Sequence, residues 1–193
     1  MSMTKQRIGL IVGCVSVMAL TACGGADRVE LGKVNYENFT AQQIYERGEF
    51  DLARDNPELA AQVFAEVERL YPYSDWAKRS IIMQAFAFHE AKSYEESRAS
   101  AQRYIDFYPT DEDAAYAQYL VALSYYDQID EVGRDQKLTF EALQALREVI
   151  ERYPESEYSR SAKLKFELAF DHLASKEMEV GRYYLRRDHY TSA

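Results

Sequence analysis

From residue 41 onward, apolar side chains recur at intervals of three and four, the spacing of one helical face. This pattern is punctuated by three Tyr-Pro pairs, Tyr71-Pro72, Tyr108-Pro109 and Tyr153-Pro154. A residue before proline is pushed out of the α region, so each pair ends a helix. Two residues after each proline stands Ser74, Asp111 or Ser156, types that start the next helix.

Counting back from the prolines gives a register. Twelve residues before them lie Ala60, Ser97 and Ala142; eight before, Phe64, Ala101 and Leu146; five before, Val67, Tyr104 and Val149. Twenty-four before the first two lie Gly48 and Ala85. A small residue in each of two helices lets them approach closely, and the positions eight and five back share one apolar face. The prolines are 37 and 45 residues apart, close to the period of about 34 of a tetratricopeptide repeat with short insertions. One helical hairpin cannot bury its own apolar side, so such hairpins stack around a shared core.

Helix punctuation follows the same register. Asn56-Pro57-Glu58 reads as N-cap, first helical residue and dipole-complementing acid. Ser93-Tyr94-Glu95-Glu96 reads as a capping box, and Thr139 as the cap of the corresponding helix in repeat three. The eight extra residues of repeat three fall in a charged loop, Asp127 to Lys137, which moves the small residue of the preceding helix to Ala122. Tyr158 to Arg187 reads as one helix of about thirty residues, on the order of 45 Å long. After it, Tyr190-Thr191-Ser192-Ala193 mimics Tyr94-Glu95-Glu96-Ser97. The expected fold is all-α: a right-handed tetratricopeptide superhelix with three complete hairpins and the first helix of a fourth. The stripe Tyr183, Tyr184, Leu185 would lack the helix that covers it, with fraying beyond Gly181.

The front of the chain differs in kind. Lys5 and Arg7 precede a short apolar stretch, Ile8 to Leu20, and Leu20-Thr21-Ala22 leads into Cys23. This is a secretion signal, too short to span a bilayer comfortably. The expected organisation is therefore a signal at 1–22, a polar tether at 23–40 and the repeat domain at 41–193. Both cysteines, Cys14 and Cys23, lie ahead of the repeats, so no disulfide staples them.

A net charge of -9 with no basic stripe argues against nucleic acid as a partner. His89, His172 and His189 lack metal-ligand spacing, and no phosphate loop, catalytic triad or HExxH sequence is present. Asp111-Glu112-Asp113 stands where a helix begins and reads as capping. A non-enzymatic binding scaffold is the class that remains, with neither metal nor soluble cofactor expected.

Leu20-Thr21-Ala22-Cys23 resembles the lipobox of bacterial lipoproteins. Together with the Tyr-Pro repeats, Tyr71-Pro72-Tyr73-Ser74, the loop Gly133-Arg134-Asp135-Gln136 and the run Gly181-Arg182-Tyr183-Tyr184-Leu185-Arg186-Arg187, it makes the chain similar to the BamD (ComL) family. These are tetratricopeptide lipoproteins of the β-barrel assembly (Bam) machinery. The resemblance implies a diacylglycerol and an N-acyl chain on Cys23, a periplasm-facing anchor in the outer membrane, and a role in folding and inserting outer-membrane proteins. It implies three kinds of partner: the POTRA domains of BamA, other Bam lipoproteins, and C-terminal segments of unfolded outer-membrane proteins. Relative to this family the repeat domain is expected to be C-terminally incomplete. The rival reading is another tetratricopeptide lipoprotein, such as a pilotin for secretin or pilus assembly.

Ligands of tetratricopeptide domains usually lie against the first helix of each hairpin. Projecting the inward positions gives Gln42, Tyr45, Glu49 and Leu52; Arg79, Ile82, Phe86 and His89; and Tyr116, Tyr119, Leu123 and Tyr126. Of these, Tyr45, Arg79, Phe86, His89, Tyr116 and Tyr119 are the candidate peptide-binding residues, since rings bury much area at small entropy cost. The alternative is that each ring packs against the neighbouring hairpin. Arg134, Asp135 and Gln136 are a candidate partner contact, or else a loop that braces itself.

Overall fold

In the computed structural model the described residues are 35–129 and 136–191, all within one compact unit that runs from Val34 to Ala193. They form seven α-helices and one 3-10 turn. The helices are α1 (Ala41–Ala53), α2 (Pro57–Leu70), α3 (Asp75–Glu90), α4 (Tyr94–Phe107), α5 (Ala114–Tyr126), α6 (Lys137–Arg152) and α7 (Glu157–Leu185). Each helix packs on the next, and the first helices α1, α3, α5 and α7 also touch one another in order. This is the helical-repeat array, three hairpins followed by a long single helix, and no helix among the described residues is long and apolar enough to cross a membrane.

The register explains the packing. Ala60, Ser97 and Ala142, then Phe64, Ala101 and Leu146, then Val67, Tyr104 and Val149 are all fully buried. Gly48, Ala85 and Ala122 face them from the first helices. At Gly48 the fit leaves no room: a Cβ there would lie 2.6 Å from Cε1 of Phe64. Repeat two solves the same contact with Ala85 opposite Ala101, both without exposed surface. Helix α5 serves two hairpins at once, since Ala117 and Leu120 join the core of α3 and α4 while Ala122 joins that of α6 and α7.

The connections repeat as faithfully. Tyr71, Tyr108 and Tyr153 share one conformation, φ near -130° and ψ near 55°, outside the α region that a following proline disfavours. Within hairpins, α1 and α3 end at Asp55 and Lys92, both left-handed with φ 61° and 60°. Asn56 N–H donates to Asp51 O at 3.0 Å and Ser93 N–H to Phe88 O at 2.9 Å, closing the last turn. The end of α7 has the same device: Asp188 has φ 59° and His189 N–H donates to Tyr184 O at 3.1 Å. The fourth hairpin turn is therefore formed where the Tyr190 motif placed it.

Three details differ from the sequence reading. Asn56 and Ser93 stand at the N-cap positions of α2 and α4 but make no side-chain cap, both with ψ near 65°. Ser74 and Ser156, with ψ near 150°, do cap α3 and α7. Thr139 is not a cap either: α6 begins two residues earlier, and buried Thr139 donates to Gln136 Oε1 at 3.2 Å. Finally, the compact unit begins before residue 41. Tyr36 is buried in a 3-10 turn capped by Asn35, its ring 6.1 Å from that of Phe39, and Phe39 O accepts the Tyr71 hydroxyl at 2.5 Å. Two aromatics in an otherwise polar stretch suffice to dock it.

Candidate peptide-binding groove

The first helices line up because each hairpin repeats the same turn chemistry, and this brings their inward side chains together. At the α1–α3 junction the Tyr45 ring lies 5.4 Å from Phe64 and 5.0 Å from Trp76. Arg79, exposed one turn on, lays its guanidinium over Trp76 at 5.4 Å. At the α5–α7 junction Tyr158 stands 5.2 Å from Tyr116 and 5.5 Å from Tyr119. Phe86 is half-buried against the core of α3, α4 and α5. His89 places Nε2 3.1 Å from Asp127 Oδ2 and its ring edge-on to Tyr94 at 5.4 Å.

The candidates thus fall into two aromatic clusters, Tyr45 with Trp76 and Tyr116 with Tyr119 and Tyr158, with Phe86 and His89 on the intervening helix. Tyr45 is mostly covered, and Tyr116 and Tyr119 keep part of their surface open. Gln136 stands at the N-cap position of α6 without a side-chain capping bond, and its Oε1 accepts from the Thr139 hydroxyl. Arg134, Asp135 and Cys23 lie outside the described residues.

Electrostatics follow from the burial. Burial pushes the Tyr116 hydroxyl up to about 12, with Tyr158 and Glu90 adding to the shift. Burial likewise raises Tyr45, Glu49 and Asp113 raise it further, and Arg79 opposes them. Tyr158 is raised by burial and by Glu157, with Asp113 also contributing. All these phenols are neutral donors at physiological pH, so the groove offers ring faces and hydroxyls.

Trp76, Asp113 and Tyr158 lie outside the positions that helical spacing singles out, yet they share a signal. Each stands four residues after a Tyr-Pro proline, at the mouth of α3, α5 and α7. Phe39 occupies the equivalent place ahead of α1, and a cleft of about 360 Å³ opens beside it, lined also by Tyr36, Gln43, Ile44, Glu46 and Arg47. This column lies at the helix entrances, ahead of the inward positions within the helices.

Residues 37–193 match the model of the outer membrane lipoprotein family YfiO. The chain belongs to this family. Among curated relatives, the outer membrane protein assembly factor BamD of Caulobacter vibrioides is 41% identical over 182 residues, covering 94% of this chain and 59% of its own length. BamD of Rickettsia prowazekii is 35% identical over 144 residues, covering 75% of this chain and 57% of the relative. BamD of Neisseria meningitidis serogroup A is 26% identical over 186 residues, covering 91% and 70%. The chain spans about three-fifths of the length of the first two. Membership of the YfiO family places it at the outer membrane, and the helical-repeat fold expected from the resemblance is the one observed.

Proposed function

We propose that this chain is a lipid-anchored periplasmic scaffold for outer-membrane protein assembly, a member of the β-barrel assembly complex that works by holding other proteins together. The observation that carries this reading is 41% identity to an outer membrane protein assembly factor across nearly the whole chain. The relatives named above bear the assembly-factor name, not that of a pilotin. In this reading the groove along α1, α3, α5 and α7 takes an extended peptide rich in aromatic side chains, such as the C-terminal segment of an unfolded outer-membrane protein. Rings in the groove bury area against the peptide's rings, and the phenol hydroxyls satisfy its backbone. The loop containing Arg134, Asp135 and Gln136 is the contact for a folded partner, with the POTRA domains of BamA the first to test.

The anchor belongs to the same proposal. Cys23 carries a thioether-linked diacylglycerol and an N-acyl chain; more than one acyl chain is needed for stable anchoring. Mass spectrometry of the mature N-terminus tests it, and an unmodified residue there defeats it. The complex is tested by affinity capture from solubilised membranes with the tagged chain: co-purification of BamA is expected, and a chain recovered without it counts against the scaffold reading.

A further inference from the structure

Helix α1 packs on α2 and α3, and its outer side is the free end of the array, where stacked repeats ordinarily present a polar face. A strip of mixed chemistry runs along it instead. The cleft at the head of α1 joins Phe39 to Gln43 and Arg47, with buried Tyr36 and Ile44 in its wall. One turn on, the Phe50 ring lies between two guanidiniums, Arg47 at 5.4 Å and Arg54 at 5.2 Å from its centre. No other ring among the described residues is flanked by two cations. Phe39 and Phe50 are 42% and 48% exposed, and half-exposed Arg47 is held by buried Asp51 at 2.8 Å. Positions 43, 47, 50 and 54 share one helical face, about 16 Å long.

Rings framed by arginines suit the boundary between hydrocarbon and phospholipid headgroups, where the rings bury apolar area and the long guanidinium stems reach phosphates. Charge decides the kind of lipid. Asp51 offsets Arg47, Glu46 shares the cleft, and the chain as a whole bears -9, so a strongly anionic surface repels it. The anchor decides the proximity. Twelve residues of chain lead from Cys23 to Asn35 and span at most about 40 Å, which keeps α1 at high effective concentration beside the leaflet that holds the acyl chains. Resting on the lipid-anchor reading of Cys23, we propose that this outer face of α1 lies on a zwitterionic phospholipid surface, with Phe39 and Phe50 in the headgroup boundary and Arg47 and Arg54 on phosphates. The acyl chains keep the protein at the membrane, and this contact sets which way the repeat array is turned on it.

The mature chain is prepared from residue 23 with Cys23→Ser, so that no acyl chain contributes, and its partition onto phosphatidylcholine–phosphatidylethanolamine vesicles is measured by co-flotation. Binding is expected. Phe50→Ser should weaken it about tenfold with the melting temperature nearly unchanged, because the ring is already half in water. Phe107→Ser removes a more exposed ring at the end of α4 and should leave partition as it was. Arg54→Gln should weaken binding by a smaller factor, and replacing half of the lipid with phosphatidylglycerol should weaken it at low salt. No partition of the Cys23→Ser chain overturns the lipid face and leaves the anchor reading standing, since mass spectrometry of the acylated protein tests that separately. Equal losses from Phe50→Ser and Phe107→Ser overturn it, as does tighter binding to the phosphatidylglycerol vesicles. A Phe50-dependent dimer in sedimentation equilibrium also overturns it, by making a second copy the occupant.

Discussion

Tyr104 donates its hydroxyl to Asp111 at 2.6 Å, joining the fully buried end of α4 to the turn that leads into α5. The same carboxylate binds the Lys78 ammonium of α3 and accepts the Asp113 N–H at 3.2 Å. Three helices of two repeats therefore meet on one side chain, read from the sequence only as a cap. The cost of partly burying it is outweighed by Lys78, Tyr104 and the Asp113 N–H, which hold the Asp111 carboxyl below its ordinary value. Burial, followed by the bond to Asp111, pushes the Tyr104 hydroxyl up, so it stays a donor.

The sign of the pH dependence follows. A carboxyl depressed in the folded state contributes stability that is fully present above its unfolded pKa and disappears as pH falls through the folded one. Below roughly pH 4 the wild-type chain should lose stability as Asp111 takes up a proton. Asp111→Asn should cost about 1 to 3 kcal/mol at neutral pH and flatten this part of the curve. Urea unfolding at a series of pH values checks it; an Asn variant with an unchanged acid limb would place the dependence elsewhere.

Gly48 and Phe64 make a second specific pair. Adding a methyl group at Gly48 puts it 2.6 Å from the ring, so Gly48→Ala should destabilise by about 1 to 3 kcal/mol despite the better helix propensity of alanine. Phe64→Ala alone should cost about 3 to 5 kcal/mol. Combined, they recreate the Ala85–Ala101 solution of repeat two, and the double variant should lose less than the sum. Strict additivity in thermal unfolding would show that the two residues do not compete for the same space.

Tyr158 links the groove helices α5 and α7 through Tyr116 and Tyr119. Tyr158→Ala should weaken an aromatic-ended peptide by about 1 to 3 kcal/mol if this cluster is an anchor. Phe86→Ala should reduce stability together with affinity, because Phe86 also packs on the core. Calorimetric titration beside thermal melts separates the two; loss of stability without loss of affinity at Tyr158 would make it a packing residue only.

The hairpin register was legible because burial acts at every repeat: a small residue facing an apolar one leaves the same trace three times, at Ala60, Ser97 and Ala142. Turn prolines were legible for the same reason. Caps were less so, since Ser93 and Ser74 are the same residue and only backbone ψ decides which can reach an amide. The capping role read for Asp111 holds in its bond to the Asp113 N–H, but its other partners, Lys78 and Tyr104, are 33 and 7 residues away, and no local pattern announces them. The groove column Trp76, Asp113 and Tyr158 kept a constant offset from proline but varied in chemistry, so a search by residue type passed over it.

Helix α7 offers the last prediction. Its buried residues are Ser159, Ala162 and Ala169, the stretch that lies against α6 and α5. Beyond Ala169 no described residue of the helix is fully buried, and Phe170, Met178, Tyr183 and Leu185 are each about half exposed or more. A lone helix of this length is marginal in water, and tertiary packing supplies most of a helix's stability. The backbone geometry at Asp188 closes the helix end, and Arg187 over the Tyr183 ring at 3.9 Å adds a local tie of on the order of 0.5 kcal/mol at an exposed site. Neither replaces a packed neighbour. The protection boundary should therefore fall soon after Ala169, about three helical turns ahead of the Gly181 expected from the sequence. Native-state hydrogen exchange should show amides from Ser159 to Ala169 protected nearly as well as those of α3 and α4, and a steep fall along Lys176 to Leu185. Protection continuing at one level to Leu185 would mean that the exposed apolar face is covered in solution.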